Sequence, residues 1–129
     1  MNSLAKNALN EYRSTGNSSI VYADPHQLIL RLMNGAIQRI AQAKGAIKQN
    51  DIQAKGEFLS KAIAIIGGLS SCLDIEKGGE LAANLDSLYE YMNVRLLEAN
   101  VENNPAKLDE VINLISEIKS AWVQIAPAS

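Results

Sequence analysis

The stretch LAANLDSLYEYMNVRLLEANVENNPAKL, residues 81–108, contains a helix, its stop and the start of the next helix. Leu81, Leu85, Leu88, Tyr89, Met92, Leu96 and Ala99 recur at helical spacing within a narrow stripe, so a helix from about Glu80 to Asn100 that buries one face is expected. Asn103-Asn104-Pro105 ends it, because proline lacks the N–H that a continuing helix needs. The same residues open a new helix, with Asn104 as cap and Pro105 in the first turn. Leu108, Val111, Ile115, Ile118, Trp122 and Ile125 form its stripe, and Pro127 closes it.

Upstream, Lys77-Gly78-Gly79 reads as a turn. Before it, Ile52, Leu59, Ala62, Ile63, Ile66, Leu69 and Leu73 share one face of a segment that ends near Asp74 and that Asp51 can cap. Asp24-Pro25 opens the first long segment with an acidic cap, a proline at the first helical position and Gln27 three residues on. Leu28, Ile29, Leu32, Met33, Ala36, Ile40, Ala43 and Ile47 then repeat as far as the break at Asn50-Asp51. Four amphipathic helices with short connections predict an all-α fold: an antiparallel up-down-up-down four-helix bundle over residues 25–127. Residues 1–24 read as a mobile N-terminal arm or cap. Leu4, Ala8, Leu9 and Tyr12 line one side of a helix too short to persist alone in water, a polar link follows, and Ile20-Val21-Tyr22 is a small apolar cluster. The arm either docks on the bundle or awaits a partner.

Composition narrows the function. A chain of 129 residues is one domain, and a net charge of −2 argues against nucleic acid. Charge is uneven: residues 25–77 hold seven Lys/Arg against four Asp/Glu, a balance of +3, and residues 78–129 hold three against eight, a balance of −5. Antiparallel packing would bring these halves together, which leaves solvated helix faces as the plain account. No run is apolar enough for a membrane helix, and the start lacks the pattern of an export signal, so a soluble cytoplasmic protein is expected.

One Cys and one His remove most metal and nucleophile schemes, and neither a cofactor nor a metal is expected. A di-iron bundle needs two Glu-x-x-His pairs. Gly67-Gly68 and Gly78-Gly79 lack the lysine and the strand of a phosphate loop. The enzyme-like alternative is a histidine phosphotransfer domain, also a four-helix bundle with one reactive His. His26 fits it poorly, because it lies in the first turn of a helix rather than mid-helix. Cys72 and Trp122 read as packing residues.

Surplus apolar surface points instead to binding. At 100° per residue, Val94, Leu97 and Val101 fall roughly 120–180° from the buried stripe of their helix, with Tyr91 on the other shoulder of that far side. On the preceding helix, Ser60, Ala64, Gly67 and Ser71 make a smooth face, suited either to close approach of another helix or to a kink. Residues alone describe a helical bundle with an arm and an apolar surface for a partner helix.

Tyr12, Asp24-Pro25-His26-Gln27-Leu28-Ile29, Asn34-Gly35-Ala36, Lys55-Gly56-Glu57, Leu59-Ser60-Lys61-Ala62-Ile63, Glu76-Lys77-Gly78-Gly79-Glu80, Leu88-Tyr89-Glu90-Tyr91-Met92, Leu96-Leu97-Glu98-Ala99-Asn100 and Ala121-Trp122 occur in this order. In order and spacing the chain resembles the FliS family, the flagellin-specific secretion chaperones of bacterial flagellar export, from about Tyr12 to Ile125. The resemblance implies a bundle with a short N-terminal cap that binds the disordered C-terminal region of flagellin in the cytoplasm. The bound segment turns helical and wraps the bundle, which prevents premature polymerisation and keeps the cargo competent for flagellar type III secretion. Two further partners are implied, the export-gate membrane protein and the flagellar anti-sigma factor. A homodimer is left open.

The resemblance assigns Tyr12 to cargo binding or groove closure and matches Ile20, Val21 and Tyr22 to the apolar stretch before the first helix. Tyr91, Val94, Leu97 and Val101 join them as flagellin-binding candidates on helix geometry alone. Lys61, Asn84 and Tyr89 are expected to support the fold. Where many relatives carry an aromatic-Asp-Gly run, this chain has Met33-Asn34-Gly35. A structural bundle subunit that self-assembles through the Tyr91–Val101 face is the remaining alternative.

Overall fold

The computed structural model describes Tyr22 and residues 26–125. Four helices follow in order: α1 (His26–Lys48), α2 (Ile52–Ser71), α3 (Ile75–Glu102) and α4 (Pro105–Val123). Each packs on its sequence neighbours, α4 closes back onto α1, and the diagonal pairs do not meet. That is the up-down-up-down bundle expected. Tyr12, Ile20, Val21 and the Asp24-Pro25 cap lie outside the described residues.

Helix starts follow local chemistry. The Asp51 carboxylate accepts a hydrogen bond from the Ala54 amide at 3.0 Å, Asp74 accepts from Lys77 at 3.1 Å, and the Asn104 side chain accepts from Ala106 at 3.0 Å with Pro105 beside it. Each satisfies an amide that the first turn leaves unpaired. Asp51→Ala is expected to lower stability by about 1 kcal/mol, read as a shift of the urea midpoint with unchanged slope.

Two departures concern the same junction. α2 ends at Ser71, and Lys77-Gly78-Gly79 is no interhelical turn: α3 has begun at Ile75 and is kinked at Gly79 (φ 55°, ψ −130°). Only glycine adopts that conformation without strain, so the residue that looked like a stop is a bend inside a longer helix.

The core takes Ile29, Met33 and Ile40 from α1, Leu59, Ile66 and Leu69 from α2, Leu85, Leu88, Tyr89, Met92 and Leu96 from α3, and Leu108, Val111, Ile115, Ile118 and Trp122 from α4. Cys72 is buried with them. α1 and α2 approach closely over small residues: Ala36, Ala43 and Ala62 are fully covered, and a Cβ on Gly35 would lie 3.5 Å from Ile65 Cδ1. Leu28 and Ile52, expected in the core, are 40% and 74% exposed. Both sit in first turns, at the ends of the bundle.

A lysine takes one stripe position. Lys55 is buried one turn before Leu59, and its ammonium donates to the Asn100 carbonyl at 2.9 Å and to Asn103 Oδ1 at 2.5 Å. Asn103 is the left-handed cap of α3, so this cation sits at the negative end of that helix. It ties α2 to the α3–α4 turn.

Candidate binding face

α3 carries the candidate residues on two different sides. Tyr91 turns toward α4, half-buried, and its hydroxyl donates to Glu110 Oε2 at 2.6 Å. Arg95 lies 5.6 Å from the Tyr91 ring centroid and donates to Glu110 at 2.8 Å and Glu98 at 3.0 Å. Lys107 joins from α4, reaching Glu98 and Glu102. Burial and the bond to Glu110 raise the Tyr91 hydroxyl pKa. Burial alone would raise Glu110, but the donors Tyr91 and Arg95 outweigh it and hold the carboxylate below its usual range. Arg95 likewise lowers Glu98. These depressed carboxylates stabilise the folded state above the ordinary Glu range, and that contribution disappears as pH falls through their folded pKa values. Tyr91 is therefore part of a clasp between α3 and α4, apart from the other three.

Val94, Leu97 and Val101 point outward, 49%, 55% and 84% exposed. They form a ridge on the face opposite the core stripe. Beside it, between α2 and α3, runs a shallow groove of about 510 Å³ whose lining includes Ile52, Gly56, Ser60, Lys61 and Asn100. Of the smooth face of α2, Ser60 lines this groove. A Cβ on Gly56 or Gly67 would meet nothing within 4 Å, and no kink interrupts α2 at Gly67-Gly68. Lys61 is exposed there without a hydrogen bond or ion pair among the described residues, so it does not support the fold in the way expected. Ile52 went unrecognised as a surface residue because its spacing matches the stripe. Its position at the first turn, where no neighbour covers it, was the available signal.

Tyr22 behaves differently again. It is 5% exposed and forms an antiparallel bridge with Leu73. Its hydroxyl is hydrogen-bonded to that of Tyr89, and its ring meets Trp122 edge-on at 4.8 Å. Burial pushes the Tyr89 hydroxyl well above the usual phenol range, so Tyr89 stays neutral. The described end of the leading segment thus fills a slot between α3 and α4.

Residues 7–129 match the family profile described as Flagellar protein FliS. The chain is 50% identical over 119 residues to Flagellar secretion chaperone FliSB of Pseudomonas aeruginosa, covering 92% of this chain and 94% of that protein. It is 46% identical over 123 residues to Flagellar secretion chaperone FliS of Vibrio cholerae, covering 95% and 90%. The Salmonella typhimurium protein of that name is 50% identical over 111 residues, covering 85% and 82%. The chain belongs to the FliS family. It is a flagellar export chaperone by that membership.

In this FliS-family chain the only imidazole is closed off. His26 Nε2 donates to the Trp122 carbonyl at 2.9 Å, Trp122 Nε1 donates back to the His26 carbonyl at 3.1 Å, and the two rings stack at 4.7 Å. His26 Nδ1 is buried without a partner. A phosphodonor would find neither nitrogen open. No group of three His, Cys, Asp or Glu among the described residues could hold a metal ion. No helix among them is long and apolar enough to cross a membrane.

Proposed function

We propose that this chain binds the disordered C-terminal region of newly made flagellin in the cytoplasm, holds it as helix against the bundle, and so prevents polymerisation before export. The observation that carries the reading is the ridge of Val94, Leu97 and Val101: three large apolar side chains exposed in helical register on a bundle whose core is otherwise closed. Isolated surface apolars are ordinary, whereas a register of three beside an open groove fits the apolar face of a partner helix. Tyr22 supports a second element of the reading, in which the arm occupies a slot in the free chain and yields it to cargo. Tyr12, Ile20 and Val21 belong to that arm, and Tyr91 contributes by shaping the α3–α4 side. The export-gate membrane protein and the flagellar anti-sigma factor are further partners in this reading.

Binding of a disordered segment orders it, and that entropy cost keeps affinity moderate for the area covered. Release then needs no nucleotide. A synthetic flagellin C-terminal peptide titrated into the chain is expected to gain helicity by far-ultraviolet circular dichroism and to bind one-to-one. Leu97→Ser with Val101→Ser should weaken binding at least tenfold while leaving the thermal midpoint nearly unchanged, since both residues are exposed. No helix gain and no heat of binding with the unaltered chain would overturn the proposal. His26→Gln should leave binding intact.

A further inference from the structure

The ridge is one half of a longer stripe. Asp86, Glu90, Val94, Leu97 and Val101 follow one another at i, i+4, i+8, i+11 and i+15, and all five are exposed. The stripe spans about 22 Å of helix. Its first two turns are acidic and its last two apolar. Asp86 and Glu90 have no ion pair among the described residues. The nearest cation on α3, Arg95, is turned to α4 and held by Glu98 and Glu110.

Charge is also left unbalanced by the fold. α1 carries Arg31, Arg39, Lys44 and Lys48 and no acid, whereas α3 carries six acids and two bases, and these two helices are diagonal and do not touch. Lys44–Asp109, from α1 to α4, is the single ion pair between the basic and acidic halves among the described residues. Packing does not cancel the asymmetry as the sequence suggested; it leaves the outer face of α3 negative.

We propose that this face takes a partner helix in one polarity, with apolar residues over Val94, Leu97 and Val101 and Lys or Arg two turns away over Asp86 and Glu90. The inference rests on the reading that a helix docks on this ridge, and it adds what that helix must carry. A second copy of the chain does not fit. Three side chains cover far less than the roughly 800 Å² per partner of a stable pair. A parallel copy would set Asp86 and Glu90 against themselves, and an antiparallel copy would lay them over the partner's Leu97 and Val101, burying unpaired carboxylates against apolar side chains. A basic amphipathic helix engages all five positions, and the charges fix its direction more than its affinity.

The test uses designed helical peptides with one apolar triad and a Lys pair two turns before or after it, matched by peptides with Glu at those positions, alongside the flagellin C-terminal peptide. One of the Lys peptides should bind about tenfold tighter than its Glu match at low salt, and the ratio should shrink at high salt. Asp86→Lys with Glu90→Lys should reverse that preference, and Leu97→Ser with Val101→Ser should weaken both peptides. Equal binding of Lys and Glu peptides, or indifference to the charge reversal, overturns the inference, as does sedimentation showing a dimer sealed by this ridge. The two readings separate cleanly. Flagellin peptide that needs Leu97 and Val101 but ignores the reversal sinks the polarity and keeps the chaperone reading. Lys peptide that binds where flagellin peptide does not keeps the polarity and sinks the cargo.

Discussion

Trp122→Ala is expected to lower the unfolding free energy by about 3–5 kcal/mol, enough to remove much of the margin of a small domain. The side chain is 2% exposed and is the largest in the core. Truncation leaves a cavity that the rigid helices around it cannot close fully. It also removes the Nε1 donor to the His26 carbonyl, the surface on which the His26 ring stacks, and the edge contact with Tyr22. The first turn of α1 and Tyr22 are both held by this indole, so the loss should be cooperative. Urea unfolding followed by circular dichroism measures it. Trp122→Phe keeps most of the volume and loses only the donor, so it should cost markedly less. A Trp122→Ala loss below about 1 kcal/mol would show that the α1–α4 junction is not packed as described.

Helix positions were legible because their causes are local. A 3.6-residue repeat and a cap at Asp51 or Asn104 need no knowledge of neighbours. The same locality misled at Gly78-Gly79: a glycine pair that would normally stop a helix only bends one, because the Asp74 cap had started it earlier. Helix geometry also identified the far side of α3 correctly for Val94, Leu97 and Val101, yet it grouped Tyr91 with them. What separates Tyr91 is Glu110, nineteen residues away and on another helix. Lys55 illustrates the same limit. A lysine at a stripe position hints at a buried cation, but its acceptors, Asn100 and Asn103, lie 45 and 48 residues on. Partners fixed by tertiary packing leave no periodic trace, and these are the contacts that decide which surface is free.

Tyr22→Ala should move stability and cargo binding in opposite directions. In the free chain the residue fills its slot, bridges Leu73 and shares a hydrogen bond with Tyr89, so its truncation is expected to cost about 3 kcal/mol of stability. If flagellin enters only after the arm has left, that contribution is subtracted from every binding event, because just the opened fraction of molecules is competent. Removing the plug removes the penalty. Flagellin peptide should then bind Tyr22→Ala at least tenfold more tightly than the unaltered chain, measured by calorimetry below the variant's melting temperature, since each factor of ten corresponds to about 1.4 kcal/mol. Tyr22→Phe keeps the ring but strands the buried Tyr89 hydroxyl, so it should lose about 1 kcal/mol and gain at most about fivefold in affinity. Weaker binding by Tyr22→Ala would mean instead that the side chain touches the cargo directly, and the arm would be part of the binding surface rather than its cover.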